Sequence, residues 1–194
     1  MNSNEVVRVG FVGAGTNTKL RHIPGFREVG GVELVSVSNR TRASSQKVVD
    51  EFNIQRVYDR WADLIEAPDI DAVCIGTWPY MHSTLVKAAL EAEKHVLTEA
   101  RMAMNASEAH SMQEASNKNP HLVTQIVPSP VTFKVDQAIQ DLISDGYLGQ
   151  VLSMDVVWSQ GGFVDYDGPF HWRHDRDMSG YNIMYMGILY EAIM

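Results

Sequence analysis

One cysteine in 194 residues excludes a disulfide framework and a thiolate metal cluster. Cys74 stands inside the apolar run Ala72-Val73-Cys74-Ile75 and reads as a small buried hydrophobe. Basic charge is not in excess either. The formal net charge of −8 argues against nucleic acid, which requires a basic face, and against an anionic membrane surface. No apolar run is long enough to span a bilayer. Met1-Asn2-Ser3-Asn4-Glu5 has no basic region followed by an apolar core, so the expected location is the cytoplasm. Repeats and low-complexity segments are missing too.

What remains is an ordinary globular composition, 45% hydrophobic and 21% charged. A chain of this length buries one good core, or one domain and part of another. Apolar strands are expected at residues 6–12, 32–38, 71–76, 95–98 and 122–126. Helices are expected between them, at 42–52 behind the cap Thr41, at 61–66, at 82–92 and at 106–117. Asn105 with Glu108 three residues on forms a capping box for the last of these. Strands apolar throughout and alternating with helices imply an α/β fold, a doubly wound parallel sheet of the Rossmann type.

Pro128-Ser129-Pro130 marks a change of pattern, so residues 1–127 are expected to form one domain and 128–194 the start of a second, α+β domain. That part should hold a helix at 132–144. A strand at 151–159 should follow, with Leu152, Met154, Val156 and Trp158 on one face. A loop beginning at Gly161-Gly162 and an apolar helix after Ser179-Gly180 complete it. One strand makes no sheet, and a helix bearing Ile188, Leu189, Ile193 and Met194 needs cover. The expectation is a chain cut short, with packing on a partner chain as the alternative.

Gly13-Ala14-Gly15-Thr16-Asn17-Thr18 is the stretch that points to chemistry. It follows the strand Val6-Val7-Arg8-Val9-Gly10-Phe11-Val12, and a second strand arrives at βαβ spacing. Gly13 suits a tight turn, and Gly15 lets backbone amides approach a pyrophosphate at a helix start. Thr18 stands where the fingerprint's third glycine is usual. Gly13, Gly15, Thr16, Asn17 and Thr18 are therefore candidate cofactor-binding residues. At the end of the second strand an acid would bond the ribose of NAD, but this chain reads Ser38-Asn39-Arg40-Thr41-Arg42. Nothing there repels a 2′-phosphate, and Arg40 or Arg42 suits one, so NADP is preferred to NAD. Asn39, Arg40 and Thr41 join the cofactor set. The bland alternative is two solvated arginines.

Together these stretches resemble the Gfo/Idh/MocA family of NAD(P)-dependent oxidoreductases. Carrying the resemblance are Gly13-Ala14-Gly15 with His22, residues 69–77, His82 and residues 88–99. Trp172-Arg173-His174-Asp175, followed by Ser179-Gly180 and Gly187, resembles the motif near the family's catalytic helix. The resemblance implies hydride transfer to or from a sugar, inositol or related polyol, in a chain that continues into a second sheet domain. Thr77, Trp78 and Glu99 follow the carboxyl ends of strands, where open α/β sheets place ligands, and so join the cofactor set. The resemblance adds His82 and Ala100 beside the cofactor, and Trp172 and Arg173 beside the substrate. A homo-oligomer acting on a small molecule is expected.

The departures fall where the family does its chemistry. Its Glu-Lys-Pro reads Glu99-Ala100-Arg101 here, and its Asp-x-Gly-x-His reads Tyr185-Met186-Gly187-Ile188-Leu189. With lysine, aspartate and histidine replaced, the candidate catalytic groups are Tyr185 as proton donor or acceptor and Arg101 as an anchor for oxygen. A cation beside Tyr185 would make it a better base. The alternative is a nucleotide-binding family member without redox activity, a sensor or partner subunit. Trp78 either stacks on nicotinamide or covers a helix start, and Glu99 should accept from nearby N–H groups. His171-Trp172-Arg173-His174-Asp175 lacks defined ligand spacing, so it reads as a polar loop over the site and no metal is expected.

Overall fold

Apolar runs alternating with capped helices build a six-stranded parallel sheet. The computed structural model describes residues 6–128, 135–155, 157, 165 and 167–180. Its strands are β1 (Val7–Val12), β2 (Val32–Ser38), β3 (Arg56–Val57), β4 (Ala72–Ile75), β5 (His95–Thr98) and β6 (Thr124–Ile126). Their order is β3-β2-β1-β4-β5-β6, and every pair is parallel. The order reverses between β1 and β4, which opens a crevice at the carboxyl ends of those two strands.

Both faces of the sheet are covered. On one, Val9, Phe11, Val37 and Cys74 pack with Ile23 of α1 (Ile23–Glu28) and Val48 and Val49 of α2 (Arg42–Phe52). On the other, Val73, Ile75 and Val96 pack with α3 (Trp61–Ile65), α4 (His82–Glu91) and α5 (Ala106–Lys118) through Leu64, Leu85, Leu90 and Met112. Phe11 is fully buried and meets Phe26 edge to face at 6.0 Å. The caps form as expected: the amide of Ser44 donates to Thr41 Oγ1 at 3.2 Å and that of Glu108 to Asn105 Oδ1 at 3.0 Å.

Three local features depart from the expected pattern. Val9 pairs with Leu34 but Gly10 with Ser36, so Val35 is an extra residue that reverses the side-chain alternation of β2. The turn after the glycine loop is wide, of π type over Thr18–His22, and gives way to α1 around Pro24. Pro24 has no N–H for the carbonyl of Leu20, so a regular α ladder cannot run through it. The two-residue β3 was not expected at all.

The strand expected at 151–159 is corrected. Residues 151–155 and 157 are not in a strand, and Leu152, Met154 and Val157 stand exposed. Alternation is only half of a strand, since its N–H and C=O groups need a second strand, and none lies beside it among the described residues. Two further elements are α6 (Asp136–Ser144) and the single turn α7 (Arg176–Ser179). Ser129, Pro130, the Gly161-Gly162 loop start, Val156, Trp158 and the expected helix with Tyr185 lie outside the described residues. Among the described residues no helix is long and apolar enough to cross a membrane.

Candidate functional site

The carboxyl end of β1 is fixed from three sides. Gly13 has φ +83°, and a Cβ there would lie 2.6 Å from Thr77 Cγ2 and 2.7 Å from the Thr77 nitrogen, so only glycine lets the β1 and β4 loops touch. Its amide donates to the Ser38 carbonyl at 2.9 Å, tying the loop to β2. The next amide, that of Ala14, donates to Asn39 Oδ1 at 2.7 Å, and the Asn39 amide in turn donates to Ser45 Oγ at 2.8 Å. Thus the Asn39 side chain shapes the glycine loop. Gly15, Thr16 and Asn17 are exposed, whereas Thr18 is buried, its hydroxyl directed at the Gly13 carbonyl. A helical turn opens at Thr16, and the first amides of such a turn have no carbonyl behind them.

Glu99, just past β5, joins this loop to the opposite side of the crevice. Its Oε1 accepts from Asn17 Nδ2 and from His22 Nε2, the latter at 2.6 Å. Burial pushes this carboxyl up, but the bonds from His22 and Asn17 outweigh burial and hold it below its ordinary range. His22 is the partner that sequence spacing could not supply, because 77 residues separate it from Glu99.

His82 opens α4 and is fully buried. Its Nδ1 lies 2.7 Å from the Arg101 carbonyl and its Nε2 3.0 Å from that of Thr77, so the ring sits between the loop after β4 and the loop after β5, and in its neutral form it donates to one of the two. Burial lowers its pKa, against the pull of the two carbonyls. Its role in this geometry is to hold the backbone that would meet a cofactor.

Over this edge lies the segment 170–180. Trp172 stacks on Trp78 with centroids 5.5 Å apart and planes 14° apart, and the Arg173 guanidinium lies 4.5 Å over the Trp172 ring. Arg101 Nη2 donates to Ser179 Oγ at 2.5 Å, a partner 78 residues away that no sequence motif marks. Past the end of β2 Arg42 is taken up by Asp59, with both contacts at 2.9 Å, and Thr41 caps α2. Arg40 is exposed, lies 6.0 Å over the Trp78 ring and makes no ion pair among the described residues. No three metal-ligating side chains gather among the described residues.

A 3-2-1-4-5-6 parallel sheet with an exposed glycine turn at the reversal defines a dinucleotide-binding Rossmann protein. The chain belongs to the GFO_IDH_MocA oxidoreductase family with an NAD-binding Rossmann fold, whose family model matches residues 7–126. It is 27% identical over 184 residues to dTDP-3,4-didehydro-2,6-dideoxy-alpha-D-glucose 3-reductase of Saccharopolyspora spinosa, covering 94% of this chain and 53% of that one. It is 28% identical over 125 residues to inositol 2-dehydrogenase of Serratia proteamaculans, covering 64% and 37%. Among solved structures, biliverdin reductase of Synechocystis, in complex with biliverdin and NADP+, superimposes with a TM-score of 0.62 at 30% identity, covering 71% and 43%. The chain spans about half the length of curated relatives it matches.

Proposed function

We propose that this chain is the cofactor-binding part of an NADP-dependent oxidoreductase that moves a hydride to or from a sugar, inositol or related polyol. The observation that carries this reading is the exposed strip Gly15-Thr16-Asn17 at the β1/β4 crevice, held to Glu99 across it. The pyrophosphate would lie on that strip, where Gly15 keeps the backbone uncovered. The adenosine end would meet Arg40, since Arg42 is engaged by Asp59 and β2 ends without a carboxylate. Toward the other end the chain offers Thr77, Trp78, Glu99 and Ala100. When bound, the cofactor supplies a nicotinamide ring that gives or takes the hydride. Oxidising an alcohol carbon also frees a hydroxyl proton, which the chain must accept. We assign that transfer to Tyr185, the anchoring of the substrate oxygen to Arg101, and the substrate wall to Trp172 and Arg173. A cytoplasmic homo-oligomer belongs to the same proposal.

Ala100 favours a second reading. It occupies the position at which the family usually carries a lysine, so a nucleotide-binding protein without redox activity fits the same fold. One measurement tests the cofactor assignment and a second separates the two readings. NADPH should bind more tightly than NADH, and an equal or reversed preference removes the Arg40 assignment. Mixed with sugar and inositol ketones, or with the alcohols and NADP, the enzyme should interconvert NADPH and NADP, and Tyr185→Phe should lower kcat by about 10²-fold. NADPH binding without any turnover establishes the second reading.

A further inference from the structure

We infer that the substrate carries an anionic group, a carboxylate or a phosphate ester, bound by Arg101 together with Arg173. The inference rests on the oxidoreductase reading and narrows its substrate class.

Arg101 lies two residues beyond Glu99, and its carbonyl is pinned by His82, so its guanidinium starts from a fixed point on the ligand edge of the sheet. Among the described residues only Nη2 has a hydrogen-bond partner, the neutral hydroxyl of Ser179. Nε and Nη1 are buried and meet no acceptor among the described residues. Those two nitrogens carry three of the five guanidinium N–H donors. The charge that acts on Arg101 is of like sign: burial and then the neighbouring Arg173 both weaken its hold on its proton.

A half-buried cation with two buried, orphaned donor nitrogens and a second cation beside it is costly, and such a group calls for an unfilled partner. A polyol hydroxyl would fill a donor but leave the Arg101 charge with no anion beside it among the described residues. An anion fills the Arg101 donors and offsets its charge, and planar carboxylate or phosphate oxygens match the guanidinium geometry. Arg173 is itself oriented by its stack on Trp172. The protein's net charge of −8 does not attract anions in general, so the attraction is local to this pair.

The test is calorimetric titration of the full chain with D-glucuronate, D-glucose 6-phosphate and uncharged D-glucose. Binding, not turnover, is the readout, so loss of hydride transfer would sink the oxidoreductase reading and leave this one standing. At least one charged probe should bind about tenfold or more tightly than glucose, as expected for charge-assisted bonds. Which of the two charged probes wins tells carboxylate from phosphate. Arg101→Gln should erase the preference, and Arg101→Lys should retain part of it. If Arg101→Gln fails to fold, Arg173→Gln should weaken the charged probe severalfold. Equal affinity for charged and neutral sugars, no binding of any, or a preference untouched in a folded variant overturns the inference.

Discussion

Gly13 and Gly15 are two residues apart and answer opposite demands. At Gly13 a side chain is refused by positive φ and by the Thr77 backbone. Gly13→Ala should therefore lower stability by about 1–2 kcal/mol or more, measured by urea unfolding. A Cβ on Gly15 would meet only the Gly76 carbonyl, at 4.0 Å, so the fold has room for it. Gly15→Val should melt near the parent temperature yet lose at least tenfold in NADPH affinity, because the branched chain would stand over the strip proposed for the pyrophosphate. Unchanged affinity in the folded variant would sink the assignment. Glu99 makes a prediction in pH. Its carboxyl is held below the ordinary value of 4.5 in the folded chain, so its contribution to stability is complete above that pH. The contribution fades as pH falls through the lower, folded value. Glu99→Gln should flatten the acid limb of the melting temperature between pH 6 and 3, and an acid limb as steep as the parent's would contradict it.

Among the elements, those that speak for themselves in sequence are the ones whose stability is local or buried on both sides. β1, β4 and β5 are short apolar runs, and α2 and α5 announce their caps at Thr41 and Asn105. β3 was hidden because two residues carry no period, and Arg56 and Val57 are held there by pairing with Ser36 and Val37. The bulge at Val35 is equally silent, since it is set by the register against Val9 and Gly10. Of the candidate site, the glycine loop and the identity of Glu99 could be read. Asn17 and His22 as its partners, and Ser179 as that of Arg101, could not, because they meet across 77 to 82 residues of chain. Packing gives the test at this scale. Phe11 joins β1 to α1 through Phe26 and is fully buried. Phe11→Ala should cost about 3–5 kcal/mol in chemical unfolding. A loss under 1 kcal/mol would mean the β1–α1 seam collapses around the gap.

At the scale of the molecule, apolar surface collects in one part of the chain. Ile139, Leu142 and Ile143 on α6 are about two-fifths exposed, and Leu152 and Val157 are nearly fully so. Large apolar side chains exposed in such number are seldom all left in water. The 194-residue chain should associate as concentration rises, and a strictly monomeric species at high concentration in light scattering would contradict this. The strand order has a further consequence, one of timing. β1 is made first, but its central place in the sheet requires β2 on one side and β4 on the other. Arg8 and the Asp71 carboxylate that receives its amide and guanidinium are 63 residues apart. At ribosomal rates that interval lasts roughly 3–13 s, during which an apolar strand has one edge open. Val9, Phe11 and Val12 thus wait for their β4 neighbours until the segment around Ala72 has been made.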